Sequence, residues 1–138
     1  MKRLAVLSIA LVVVSACSFA GEVKIIANSS VTASSITADE LRNVFLETST
    51  TLSDGSHVLP VLAKGGAAHQ EFVKDYLGKT DSALQMYYRG LVFTGKASMP
   101  KEEGSDTDIA AYVAKTKGAI GYVSVGASTT GVKTLQVR

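Results

Sequence analysis

Two short segments of this chain have the residue types and spacing to hold an anion. Lys64-Gly65-Gly66-Ala67 sits between an apolar run and a helical pattern. Free backbone N–H groups at a helix start form an anion site, glycines let the anion approach closely, and Lys64 adds a positive charge. Asn28-Ser29-Ser30 follows another apolar run and offers an amide and two hydroxyls. In open α/β sheets ligands bind beyond the carboxyl ends of strands, where both segments would lie. A plainer reading competes: the glycines turn the chain and the serines are solvated loop.

Other chemistry lacks its residues. His57 and His69 fall on different predicted elements with no His-x-x-x-His or Glu-x-x-His pairing, so spacing supplies no metal site and both read as surface or cap-region histidines. There is no Gly-x-Ser-x-Gly elbow, and Lys64-Gly65-Gly66 lacks the spacer and the Lys-Ser/Thr pair of a phosphate-binding loop. Cys17 is the sole cysteine, which leaves residues 18–138 without a disulfide, a thiolate or a Cys-bound zinc. Glu40, Asp81, Asp106 and Asp108 read as helix caps. No enzyme and no cofactor is implied.

The elements that must position these segments follow from periodicity. Val23–Ala27 is a strand ending in the polar Asn28–Ser30 loop. Thr37-Ala38-Asp39-Glu40 matches a capping box and opens a helix over 38–47. Residues 48–57 are turn-formers around Asp54-Gly55, and His57–Ala63 is a strand in which Pro60 argues for an edge or a bulge. A helix over roughly 67–77 buries Phe72, Val73, Tyr76 and Leu77 and stops at Gly78. Asp81 caps the next helix, where Leu84, Tyr87, Tyr88 and Leu91 repeat at helical spacing. Residues 94–105 read as an irregular loop. A capped helix carrying Ile109, Tyr112 and Val113, a strand over 119–125 and a weaker strand over 132–137 complete the chain. Strands separated by helices predict an α/β fold with a mixed, largely parallel sheet flanked by helices.

Charge and the first residues bound the setting. The chain has 138 residues with 14 Lys plus Arg and 12 Asp plus Glu. Lys2 and Arg3 are the only charges in residues 1–20, so the rest of the chain is neutral overall. That disfavours a nucleic-acid binder, which needs a cationic surplus. Residues 1–20 have a basic start, an apolar run from Leu4 to Val14 and small residues after it, the pattern of a secretory signal peptide. The run is too short to span a bilayer. Cleavage after Ser18-Phe19-Ala20 would release a chain starting at Gly21. Val14-Ser15-Ala16-Cys17 also resembles a lipobox, which would instead leave a lipid anchor on Cys17. Either route leads outside the cytoplasm, to the periplasm of a bacterium, with one domain over 22–138.

Within that domain the segments LRNVFLETSTTLSDGSHVLPVLAKGGAAHQEFVKDYLGK, YYRGLVFTGK, MP and AAYVAKTKGAIGYVSVG occur in this order. They resemble the phosphate-binding-protein-like domain of bacterial ABC phosphate importers, and most of all its short, single-lobe members. The resemblance runs from about residue 23 to 126. It implies one lobe of a type II periplasmic-binding fold and a non-enzymatic solute-binding protein for phosphate or a similar anion. Its partners would be a transporter permease or an envelope sensor protein. In full-length relatives two lobes close on phosphate through hydroxyls, backbone N–H groups at helix starts and an Arg. Their helix-start element resembles Arg-x-x-x-Ser-Gly-Thr followed by Phe. Anchored on Phe72, it places Leu62 at the Arg, Gly66 at the Ser, Ala67 at the Gly and Ala68 at the Thr. The side-chain ligands are thus replaced, and backbone N–H groups with Lys64 remain. The alternative is a protein-interaction or sensor-accessory module that keeps the fold without the ligand.

Overall fold

The computed structural model describes residues 23–138. The expected signal peptide, its cleavage at Gly21 and the lipobox at Cys17 lie outside the described residues.

The chain runs β1 (Val23–Ala27), β2 (Ser35–Ile36), α1 (Ala38–Phe45), β3 (Leu59–Ala63), α2 (Ala67–Phe72), α3 (Asp81–Phe93), β4 (Lys101–Glu103), α4 (Asp106–Lys115), β5 (Ala119–Ser124) and β6 (Lys133–Val137). A π-helical turn, Val73–Leu77, continues α2. Six strands form one sheet in the order β2-β6-β1-β5-β3-β4. The pairings β2–β6, β3–β4 and β3–β5 are parallel, whereas β1 runs antiparallel to both β5 and β6. The expected mixed, mostly parallel α/β sheet is therefore the architecture found.

Alternation along β5 builds the two faces. Tyr122 stacks on Phe72 at 3.9 Å between ring centroids and meets Phe45 at 5.8 Å, so α1 and α2 cover that face. The next residue back, Gly121, points to the other face, where a Cβ would come within 3.0 Å of Ile109 in α4. Removing the side chain there lets α4 lie close on the sheet. The core joins both faces, and the residues picked from periodicity (Leu41, Phe45, Phe72, Leu84, Tyr88, Ile109 and Ile120) are all buried in it.

Several details differ from the sequence expectations. β2 and β4 were not anticipated: Ser-Ile is too short for a pattern, and Lys-Glu-Glu carries no apolar alternation. β4 forms because its backbone pairs with β3, which places a strand inside the expected 94–105 loop. β3 begins at Leu59, and His57 makes only an isolated bridge to Thr51. Despite Pro60, β3 is an interior strand. Leu59 N–H donates to Gly118 O on the β5 side, so position 60 faces the other way, and pairing to β4 starts only at Val61. The missing N–H thus falls where no partner exists. The helix expected over 67–77 widens into the π turn, where Gly78, in the left-handed conformation, donates to Val73 O. Thr80, not Asp81, caps α3, with its side chain accepting from Ala83 N–H at 3.2 Å.

Candidate functional site

The Lys64–Ala67 turn lies at the carboxyl end of β3. Lys64 N–H donates to Glu103 O at 3.0 Å, which anchors the turn to the end of β4. Gly66, at φ +97°, takes the N-cap position of α2, a conformation that disfavours a residue with a Cβ. Lys64, Gly65, Gly66 and Ala67 are all exposed.

The start of α2 differs from those of the other described α-helices. Thr37, Thr80 and Ser105 cap α1, α3 and α4 with side-chain oxygens, and each of those helices has an acid in its first turn. α2 has neither a side-chain cap nor a first-turn acid. Its first N–H groups have no intrahelical acceptor, and no side chain of its own first turn caps them. An oxyanion beside Lys64 would be favoured there.

Beneath the turn is a buried polar chain that the sequence did not announce. Ala63 N–H donates to Tyr122 Oη at 3.0 Å, Tyr122 Oη lies 2.5 Å from His69 Nδ1, and His69 Nε2 lies 2.7 Å from Asp81 Oδ1. One proton assignment satisfies every member. Tyr122 donates to Nδ1, and Nε2–H donates to the Asp81 carboxylate. Burial pushes the Tyr122 phenol up, so it keeps the proton it donates. This corrects the reading of His69 as a surface histidine, because it is 1 % exposed. The available signal was its spacing: His69, Phe72, Val73 and Tyr76 share one helical face. The trio has the composition of a catalytic relay, but Tyr122 is fully buried and its hydroxyl is engaged on both sides. Its role is to fix the end of β3 and the starts of α2 and α3 against one another.

The Asn28–Ser30 segment is elsewhere. Asn28 is buried, and its Nδ2 donates to Val113 O at 2.7 Å and Ala114 O at 3.1 Å. Its Oδ1 accepts from Ser30 N–H at 2.9 Å. The side chain thus closes the open carbonyls in the last turn of α4. Ser30 Oγ accepts from Gly118 N–H at 3.0 Å, and both Ser29 and Ser30 are exposed. The expectation that Asn28, Ser29 and Ser30 share a strand end with Lys64–Ala67 is corrected by strand direction. β1 is antiparallel to β5 and β3 is parallel to it, so Asn28 lies beside Ala119, level with the start of β3. Leu59 to Lys64 is roughly 16 Å of extended chain, too far for one small anion to bridge.

Among the described residues no group of three or more His, Cys, Asp or Glu is placed to hold a metal ion. Also among them, no helix is long and apolar enough to cross a membrane.

No family model and no curated protein matches the chain. Solved structures do. An ABC-type phosphate transport receptor from Vibrio cholerae superposes with a TM-score of 0.62 at 13% identity, covering 84% of this chain and 46% of its own. A putative phosphate ABC transporter substrate-binding protein from Clostridium perfringens, with bound phosphate, gives 0.61 at 15%, covering 84% and 44%. PstS from Borrelia burgdorferi gives 0.61 at 13%, covering 85% and 47%. The chain therefore spans less than half the length of these structures. At such identity the likeness establishes the fold, an α/β unit found within substrate-binding proteins.

Proposed function

We propose that this chain is a non-enzymatic, extracytoplasmic solute-binding protein of the phosphate-importer type that takes phosphate or a similar oxyanion weakly at the Lys64–Ala67 turn. The observation that carries this reading is the start of α2, left without a cap or an acid at the carboxyl end of β3. The fold shared with phosphate-binding proteins supports the solute class. Export by residues 1–20, or a lipid anchor on Cys17, and a transporter permease or envelope sensor as partner belong to the same proposal.

Magnitudes set the affinity. A helix-terminus effect is worth about 0.3–1 kcal/mol at an exposed site. Each solvated hydrogen bond adds about 0.5–1.5 kcal/mol. Three or so such bonds bring the total near the roughly 4 kcal/mol of millimolar binding. The test is an amide-resolved NMR titration with inorganic phosphate. The expected result is millimolar saturation with the largest shifts at Gly65–His69, weakened by Lys64→Ala and by salt. Shifts confined to Asn28–Ser30, or none at millimolar phosphate, would contradict the site.

A further inference from the structure

Four of the six large hydrophobic side chains exposed among the described residues, Leu59, Val92, Phe93 and Met99, line two neighbouring clefts. Phe93 is 92% exposed at the end of α3. Met86 lies on the same helical face as Arg89 and Phe93. Single exposed apolar residues are ordinary, but a cluster of this kind marks an interaction surface.

The surface is concave. Arg89, Val92, Phe93 and Met99 line a cleft of about 240 Å³. A second cleft, about 430 Å³, runs between residues 47–50, the start of β3 and residues 96–101, with Leu59, Pro60 and Met99 among its walls. Both clefts include Met99, so they are neighbours in one grooved surface. Its charge is lopsided. The stretch from Met86 to Lys101 holds Arg89, Lys96 and Lys101 and no acid. Lys101 is 3.7 Å from Glu103, whereas Arg89 and Lys96 are exposed. Glu47 is an acid on the wall of the second cleft only.

We infer that this groove docks an extended segment of a partner protein that carries apolar anchors flanked by Asp or Glu. Two neighbouring clefts that share Met99 suit successive side chains of a peptide, while a bilayer has no shape with which to fill them. Two-fold pairing of identical copies would press the same patch against itself and gather Arg89 and Lys96 of both copies in one interface, a like-charge clash. An acidic segment instead meets Arg89 at one cleft and Lys96 at the other, away from Glu47. The groove opens at the amino end of β3, the opposite end from Lys64–Ala67, so docking leaves the anion turn free and the inference stands without it.

Selection of random dodecapeptides displayed on phage against the whole chain tests this directly. Enriched sequences should pair Leu or aromatic residues with Asp or Glu. A synthetic peptide of the enriched sequence should lose about tenfold or more in affinity to Phe93→Ser and to Arg89→Glu, the size expected of central anchors. Its binding should weaken with salt and be unchanged in Lys64→Ala. Phe93 is exposed, so Phe93→Ser should keep the thermal midpoint, and Arg89→Glu supplies an independent variant. The inference fails if no acidic-apolar peptide is enriched or if binding ignores both substitutions. It also fails if Phe93 is needed instead for sedimentation with phosphatidylglycerol vesicles or for self-association in ultracentrifugation.

Discussion

Asn28 shows how a residue that looks like a ligand is spent on structure. Both its amide hydrogens and its oxygen have partners inside the protein, and they join the loop after β1 to the end of α4. Asn28→Ala should therefore destabilise by about 1–3 kcal/mol, the cost of unmet buried carbonyls, while phosphate shifts at Gly65–His69 persist. Denaturant melts with a phosphate titration of the same variant check this. Glu40 gives a pH signature. Hydrogen bonds from Ser53 and from the Thr37 backbone pull its carboxyl from 4.5 down to about 2. A depressed folded value means that its contribution is complete above about pH 4.5 and is lost as pH falls through about 2. Stability measured across that window should fall with acid in the native chain and fall less in Glu40→Gln. Glu40 was legible in the sequence because its cap is local; Asn28 was not, because its partners are 85 and 86 residues away.

At the scale of elements, what the sequence revealed depended on how local each signal is. The Thr37–Glu40 box fixed the start of α1, and the i, i+3, i+4 apolar rows found α3 and α4. α3 was misassigned by one residue because Thr80 and Asp81 are both good caps; Asp81 turned out to be needed by His69. β4 was invisible because Lys-Glu-Glu becomes a strand only through pairing. Strand direction was the costly gap. Periodicity shows that β1 and β3 exist but not that they run oppositely, so a two-part anion site could be read across what are in fact two ends of the sheet. Gly118 is a tight junction between these elements. Its φ is +78°, and a Cβ there would sit 2.8 Å from His57 O. Gly118→Ala should cost about 2 kcal/mol or more from the left-handed backbone and the clash together, read as a lowered denaturation midpoint.

At the scale of the molecule, one sheet covered on both faces supplies the core, and Phe72 lies at its aromatic centre between Phe45, Tyr76 and Tyr122. Phe72→Ala should cost about 3–5 kcal/mol, a large share of what a domain of this size holds, and thermal unfolding measures it. The same compactness limits the ligand. The similar solved structures are more than twice as long as the region they share with this chain, and under the proposed function this chain would supply one face of a site. An exposed turn with Lys64 and backbone N–H groups would hold the proposed oxyanion in water, not in a closed dielectric pocket. Calorimetric titration of inorganic phosphate into the whole chain, with its monomeric state verified in the same buffer, tests this most directly. The account predicts a dissociation constant of about a millimolar, weakened by Lys64→Ala. Micromolar binding by the monomer, or binding indifferent to Lys64, would contradict it.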